Sequence, residues 1–190
     1  MDKFLIVGLG NIGFEYEHTR HNIGFDILDH FVSQHKSGFS LDRLASKAEV
    51  SLKGKKIICI KPTTYMNLSG KAVKYWVDKE KVELDRVLVL LDELAVPINR
   101  IKIKPSGSDG GHNGLKSIQE SLGTTQYPRL RFGIGNDFPQ GRQVEYVLGK
   151  WKEDQKAVVN AKIARASQAI EEFVLIGLEK TMAAVNHLEF

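Results

Sequence analysis

Phe4-Leu5-Ile6-Val7-Gly8-Leu9-Gly10-Asn11-Ile12-Gly13 decides how the chain begins to fold. Four consecutive apolar residues that stop at glycine read as a buried strand feeding a loop. The stretch also contains G-x-G-x-x-G. A dinucleotide site would need a helix to start at once, with its N-terminus facing a pyrophosphate, and an acid about 20 residues on, after a second strand. The next segment, Phe14 to Asn22, has no apolar face at helical spacing, and Asp26 and Asp29 fall inside the next predicted helix. The glycines therefore read as a tight turn that uses positive φ, with Asn11 at its exposed tip.

Outward from this strand, strands and helices alternate. Asn22 is placed to cap a helix reaching about Gln34, with Ile23, Ile27, Leu28, Phe31 and Val32 on one face. Val50–Leu52 and Ile57–Lys61 flank Lys53-Gly54-Lys55 as a hairpin. Ser69 can cap a helix carrying Val73, Trp76 and Val77, and Val87–Leu91 reads as a central strand. Arg100–Lys104 alternates strictly, with Ile101 and Ile103 on one face and the bases on the other. After it come a glycine-rich loop (106–111), a helix to Leu122 and a strand over Arg129–Ile134. A long helix from about Glu153 to Val174 carries Val159, Ile163, Ala166, Ile170 and Phe173 as one stripe, and a shorter helix ends near Val185. The pattern predicts a single three-layer α/β domain over residues 1–190.

Composition sets the frame. The chain has 190 residues, 42% hydrophobic and 26% charged, an ordinary globular mix with enough length to bury a core. The net charge is +4, and residues 99–131 alone hold six bases against two acids, so this stretch equals the whole formal excess. The single cysteine, Cys59, lies in an apolar run and reads as a core thiol rather than a nucleophile. The apolar run near the N-terminus is far too short for a signal core or a membrane span, so a cytoplasmic protein without a membrane anchor is expected.

Several polar residues fall where loops leave strands or helices begin, the usual place for ligands in α/β folds: Asn11, His21, Asn67, Asp92 and Asn113. His21 is the natural proton acceptor, because an imidazole needs little tuning to act as a base at neutral pH. Asp92 is the best candidate to hold its tautomer. Asn11, Asn67 and Asn113 offer uncharged amides that can position a carbonyl and stabilise its oxyanion. No serine, threonine or cysteine stands out as a nucleophile, so direct attack by water is favoured. His18 and His21 form H-x-x-H, but the stretch is not helical, and no metal site is expected. Lys102, Lys104 and Arg131 can grip phosphates, and a solvated strand face is the plainer alternative.

Six stretches, in order, are similar to the bacterial-type peptidyl-tRNA hydrolases. They are Val7–Asn11, Tyr16–Asn22, Lys61–Gly70, Asp92–Leu94, Gly110–Leu115 and Arg129–Gly135. The resemblance covers nearly the whole chain and accounts for the glycine motif as the family's first loop. It implies a monomeric α/β enzyme with a mixed twisted sheet that hydrolyses peptidyl-tRNA released by stalled ribosomes, with no cofactor or metal. In that pattern His21 activates water, Asp92 supports it, and Asn11 favours substrates whose amino group is acylated. Tyr16, Tyr65, Asn67 and Asn113 match positions that contact substrate, Met66 and His112 line the same cleft, and Lys102, Lys104 and Arg131 hold acceptor-end phosphates. Ile12 replaces the usual proline, Ala95 replaces a common acid, and Asn136-Asp137 stands where a proline is common. Two other readings compete: an RNA-binding relative without activity, and a nicotinamide-dependent oxidoreductase built on Gly8, Gly10 and Gly13. Hydrolysis of an N-acylated aminoacyl-tRNA, with the unacylated form as control, separates them.

Overall fold

The computed structural model describes residues 2–190. Seven strands form one mixed sheet: β1 (Lys3–Gly8), β2 (Ser40–Asp42), β3 (Ala45–Leu52), β4 (Lys55–Pro62), β5 (Val87–Glu93), β6 (Ile101–Lys104) and β7 (Arg129–Gly133). Their order is β2-β3-β4-β1-β5-β7-β6. β4, β1, β5 and β7 run parallel, while β3 and β6 are antiparallel to their neighbours. The predicted hairpin is longer than its apolar residues suggest, because β3 pairs along its whole length with β4. Its turn, Lys53-Gly54, has φ of 46° and 80°, the left-handed pair that suits a two-residue hairpin.

Helices cover both faces. α1 (Ile23–Gln34), α5 (Lys156–Ile176) and α6 (Leu178–Val185) bury their stripes against Phe4, Ile6, Cys59, Leu88, Ile101, Ile103 and Phe132. α2 (Ser69–Glu80) and α3 (Asn113–Leu122) pack on the other face, against Leu5, Val7, Ile58, Val89 and Leu91. The alternation of β1 between the two clusters is the period-2 geometry of a strand buried on both sides. The predicted three-layer fold is therefore present. Burial pushes the Cys59 thiol far up, as fits a core residue. Among the described residues no helix is long and apolar enough to cross a membrane.

Some local expectations are corrected. Neither Asn22 nor Ser69 caps a helix through its side chain. Asn22 binds the backbone of Asn11 instead, and Ser69 lies inside α2 and donates to the Met66 carbonyl. In the glycine motif only Gly13 has positive φ, at 118°. Gly8 and Gly10 serve close packing: a Cβ at Gly8 would stand 2.3 Å from the Gly24 carbonyl oxygen, and one at Gly10 2.8 Å from the Phe25 ring. After the motif come two 3-10 turns, Phe14–Tyr16 and Arg20–Asn22, before α1 begins. The strand β2 and the short helix α4 (Gln143–Val147) add to the elements predicted from the sequence.

Candidate active site

The ends of β1, β4 and β5 and the start of α3 converge on a cleft of about 320 Å³. His21, Asp92, Asn11, Asn67, Met66, His112 and Asn113 all line it. These residues are far apart in sequence, and the sheet order explains their meeting: β1 lies between β4 and β5, so the loops after all three strands are neighbours.

Asp92 sits near the end of β5 with 3% exposure. It accepts from His21 Nδ1 at 2.9 Å and from His112 Nε2 at 2.8 Å. Burial pushes the Asp92 carboxyl up, but the rings of His112 and His21 outweigh this and hold it well below the usual carboxylate range. The aspartate is therefore ionised throughout the neutral range. His21 gives its Nδ1–H to that anion, which leaves the lone pair of a neutral ring on Nε2. His112 stands at the N-cap of α3, where its Nδ1 accepts the Gly114 N–H at 3.1 Å. With Nδ1 an acceptor, the proton of His112 lies on Nε2, facing Asp92.

Asn11 is not an exposed tip. Its N–H donates to Asn22 Oδ1 at 2.8 Å, and its carbonyl accepts from Asn22 Nδ2 at 2.9 Å. Its own Oδ1 accepts the Met66 N–H at 2.6 Å. A backbone N–H can only donate, so the Asn11 amide is oriented with its NH₂ group as the remaining polar group. Met66 belongs to a 3-10 turn (Met66–Leu68) entered through Tyr65, whose φ of 62° and ψ of 159° fall in a region nearly reserved for glycine. This strained residue adjoins the turn that supplies Met66 and Asn67.

Other expected residues lie elsewhere. The lining of the cleft includes neither Tyr16 nor Tyr65, and Tyr65 is half exposed. Lys102 and Arg131 are register partners on β6 and β7, on the sheet face opposite Ile101 and Ile103. They differ in their engagements. Lys102 Nζ donates to the Asn186 carbonyl just past α6, whereas Lys104 is exposed. Arg131 Nε donates to Glu93 Oε1 at 2.8 Å, and Glu93 lines the cleft.

Sequence reasoning includes Glu93 and Leu94 in the Asp92–Leu94 stretch without giving them a role, and it misses the α4 segment, whose Gln143, Val144, Val147 and Leu148 line the cleft beside them. Val144, Val147 and Leu148 do carry helical spacing, which is the available sign. Arg20 joins this segment to His21: Nη1 donates to the Tyr146 carbonyl at 2.9 Å, and the guanidinium lies 4.2 Å from the Tyr146 ring centroid.

His21, Asp92 and His112 offer ligand atoms within 4.8 Å of one another, a composition that can hold a metal. A metal-bound neutral imidazole keeps a proton on its other nitrogen, where it donates. His112 Nδ1 instead accepts from Gly114, so ligation through Nε2 would require an imidazolate. The geometry suits a hydrogen-bond relay better. His18 does not join His21; it pairs with Asp26 at 2.9 Å.

The profile of the peptidyl-tRNA hydrolase family matches residues 5–190. The chain is 49% identical over 184 residues to a peptidyl-tRNA hydrolase of Phocaeicola vulgatus, covering 97% of this chain and 98% of the relative. It is 48% identical over 184 residues to one of Cytophaga hutchinsonii, with the same coverage. The crystal structure of peptidyl-tRNA hydrolase from Acinetobacter baumannii superposes with a TM-score of 0.93 at 30% identity, covering 98% of this chain and 95% of that one.

Proposed function

The chain belongs to the peptidyl-tRNA hydrolase family, and we propose that His21, Asp92 and the amides of Asn11, Asn67 and Asn113 carry its reaction. That reaction is hydrolysis of the ester bond between a peptide and tRNA. His21 Nε2 takes a proton from water as the water oxygen attacks the ester carbonyl. The carbonyl π electrons move to oxygen, and the Asn113 amide with backbone N–H groups holds the resulting charge. Collapse breaks the bond to the terminal adenosine ribose, and the His21 imidazolium returns its proton to the ribose oxygen. Peptide acid and tRNA leave.

The observation that supports this reading is the Asp92–His21 hydrogen bond inside a cleft that three asparagines share. Asn11 offers its NH₂ to the acyl carbonyl on the substrate's amino group, Met66 and Asn67 contact substrate in the cleft, Tyr16 and Tyr65 contact it outside the lining, and Lys104 and Arg131, with Lys102 beside them, meet the acceptor-end phosphates. The protein works as a cytoplasmic one-domain monomer, without metal or cofactor, on peptidyl-tRNA lost from stalled ribosomes. Replacing His21 by Ala lowers kcat by ~10²–10⁴, the range for a lost general base. Near-normal kcat for His21→Ala on N-acetyl-aminoacyl-tRNA would overturn the assignment.

A further inference from the structure

We infer that His112 is a positioning residue: it holds one oxygen of Asp92, and where residue 92 is an amide with a single acceptor it decides which nitrogen of His21 carries the proton. This rests on the reading of His21 as the base. The chain of constraint starts in the backbone. The Gly114 N–H can only donate, so His112 Nδ1 must accept, and the His112 proton is confined to Nε2. That N–H points at Asp92 Oδ1, 2.8 Å away. Oδ1 also lies 3.1 Å from His21 Nδ1, while Oδ2 lies 2.9 Å from it. A carboxylate accepts on both oxygens and satisfies both rings at once.

An amide at position 92 cannot do so. Asp92→Asn carries one oxygen and one NH₂, and the two rings compete for the oxygen. His112 cannot change its tautomer without losing the Gly114 N–H, so it claims the oxygen. The NH₂ then falls at the Oδ2 position, 2.9 Å from His21 Nδ1. Two donors cannot face each other there, so His21 moves its proton to Nε2 and ceases to be a base. Asp92→Asn is therefore harmful because His112 dictates which way the amide turns.

His112→Asn separates the two functions of His112. Asparagine is a strong N-cap and can accept the Gly114 N–H, so α3 keeps its start. Its shorter side chain does not reach Asp92. In Asp92→Asn/His112→Asn the amide at 92 is free to turn its oxygen to His21. The experiment measures kcat on N-acetyl-aminoacyl-tRNA and reads the His21 tautomer from ring ¹⁵N–¹H correlation spectra, for both single variants and the double.

Asp92→Asn should lose ~10⁴-fold in kcat, as expected when a base is left in the wrong tautomer, with the His21 proton on Nε2. His112→Asn alone should lose less than about tenfold and keep the proton on Nδ1. The double variant should run at least about tenfold faster than Asp92→Asn, with the proton back on Nδ1. A double variant no faster than Asp92→Asn, with His21 still protonated on Nε2, would overturn the inference. So would Asp92→Asn that leaves His21 protonated on Nδ1. If the double variant restores the Nδ1 proton without turnover, the role of His112 stands and His21 as base fails.

Discussion

Asn11→Asp should invert the enzyme's preference between acylated and free aminoacyl-tRNA. The Asn11 side chain is oriented by its bond from the Met66 N–H, and aspartate keeps that bond because one carboxylate oxygen can occupy the same place. The backbone exchange with Asn22 is untouched, since it uses main-chain groups of residue 11. What changes is the group left over: an NH₂ donor becomes an anionic acceptor. A peptidyl ester presents an amide carbonyl to that group, whereas a free aminoacyl ester presents an ammonium.

The magnitude comes from one charged contact on each side. A hydrogen bond to a charged group is worth ~1.5–3 kcal/mol, or about 10- to 150-fold. The acylated substrate loses about that much in kcat/KM, and the free one gains a similar amount, so the ratio moves by ~10²–10⁴. The assay compares kcat/KM for N-acetylated and unacylated forms of one aminoacyl-tRNA. Asn11→Ala serves as control, because it deletes both the latch to Met66 and the donor and should weaken turnover without inverting the ratio. An Asn11→Asp enzyme whose ratio stays within about threefold of the parent would refute the assignment of Asn11.

Two further outcomes are expected. Lys162 is fully buried, donates to the Ile98 and Gly133 carbonyls, and is lowered by burial from 10.5 to about 7. Above pH 7 the native state has released a proton that the unfolded chain still holds, so stability rises at up to ~1.4 kcal/mol per pH unit. Near pH 9 the Cys59 thiol begins to ionise in the unfolded chain only, and the rise ends. Urea midpoints from pH 7 to 10 should show this slope, and Lys162→Met should flatten it; parallel curves would refute it. Lys104→Ala should raise KM for full peptidyl-tRNA more than for a short ester and reduce the salt slope by about 1, with Lys102→Ala milder because its ammonium already serves the Asn186 carbonyl. Equal effects on both substrates would argue against phosphate contact.

The fold is legible in the sequence where one physical requirement dominates. Val87–Leu91 must be a central strand because five adjacent apolar residues need cover on both faces, and β5 has it. Asp92 is then marked out as the first polar residue at the end of that strand. Other features are illegible because one residue type serves two purposes. Asn22 before a helix looks like a cap, yet its amide binds the Asn11 backbone, a partner set by the sheet rather than by spacing. Lys102 and Lys104 are alike in the alternation, and only the docking of α6 distinguishes them. His112 reads as a cleft residue, and the backbone donor that fixes its proton exists only once α3 has formed.

Charge placement gives the site its order. The lining of the cleft includes Asp92 and Glu93 and no lysine or arginine. A phosphate entering it would meet carboxylates and lose water without gaining a cation, an unfavourable exchange at close range. Arg131 stands at the boundary, held there by Glu93, with Lys102 as its register partner, while Lys104 lies further along β6 opposite Arg129. In the proposed reading a polyanion is attracted to these strands and repelled from the imidazole. In that reading the part of peptidyl-tRNA that enters is the uncharged ester with its peptide, which presents the cleavable bond to His21 and keeps the tRNA backbone away from it.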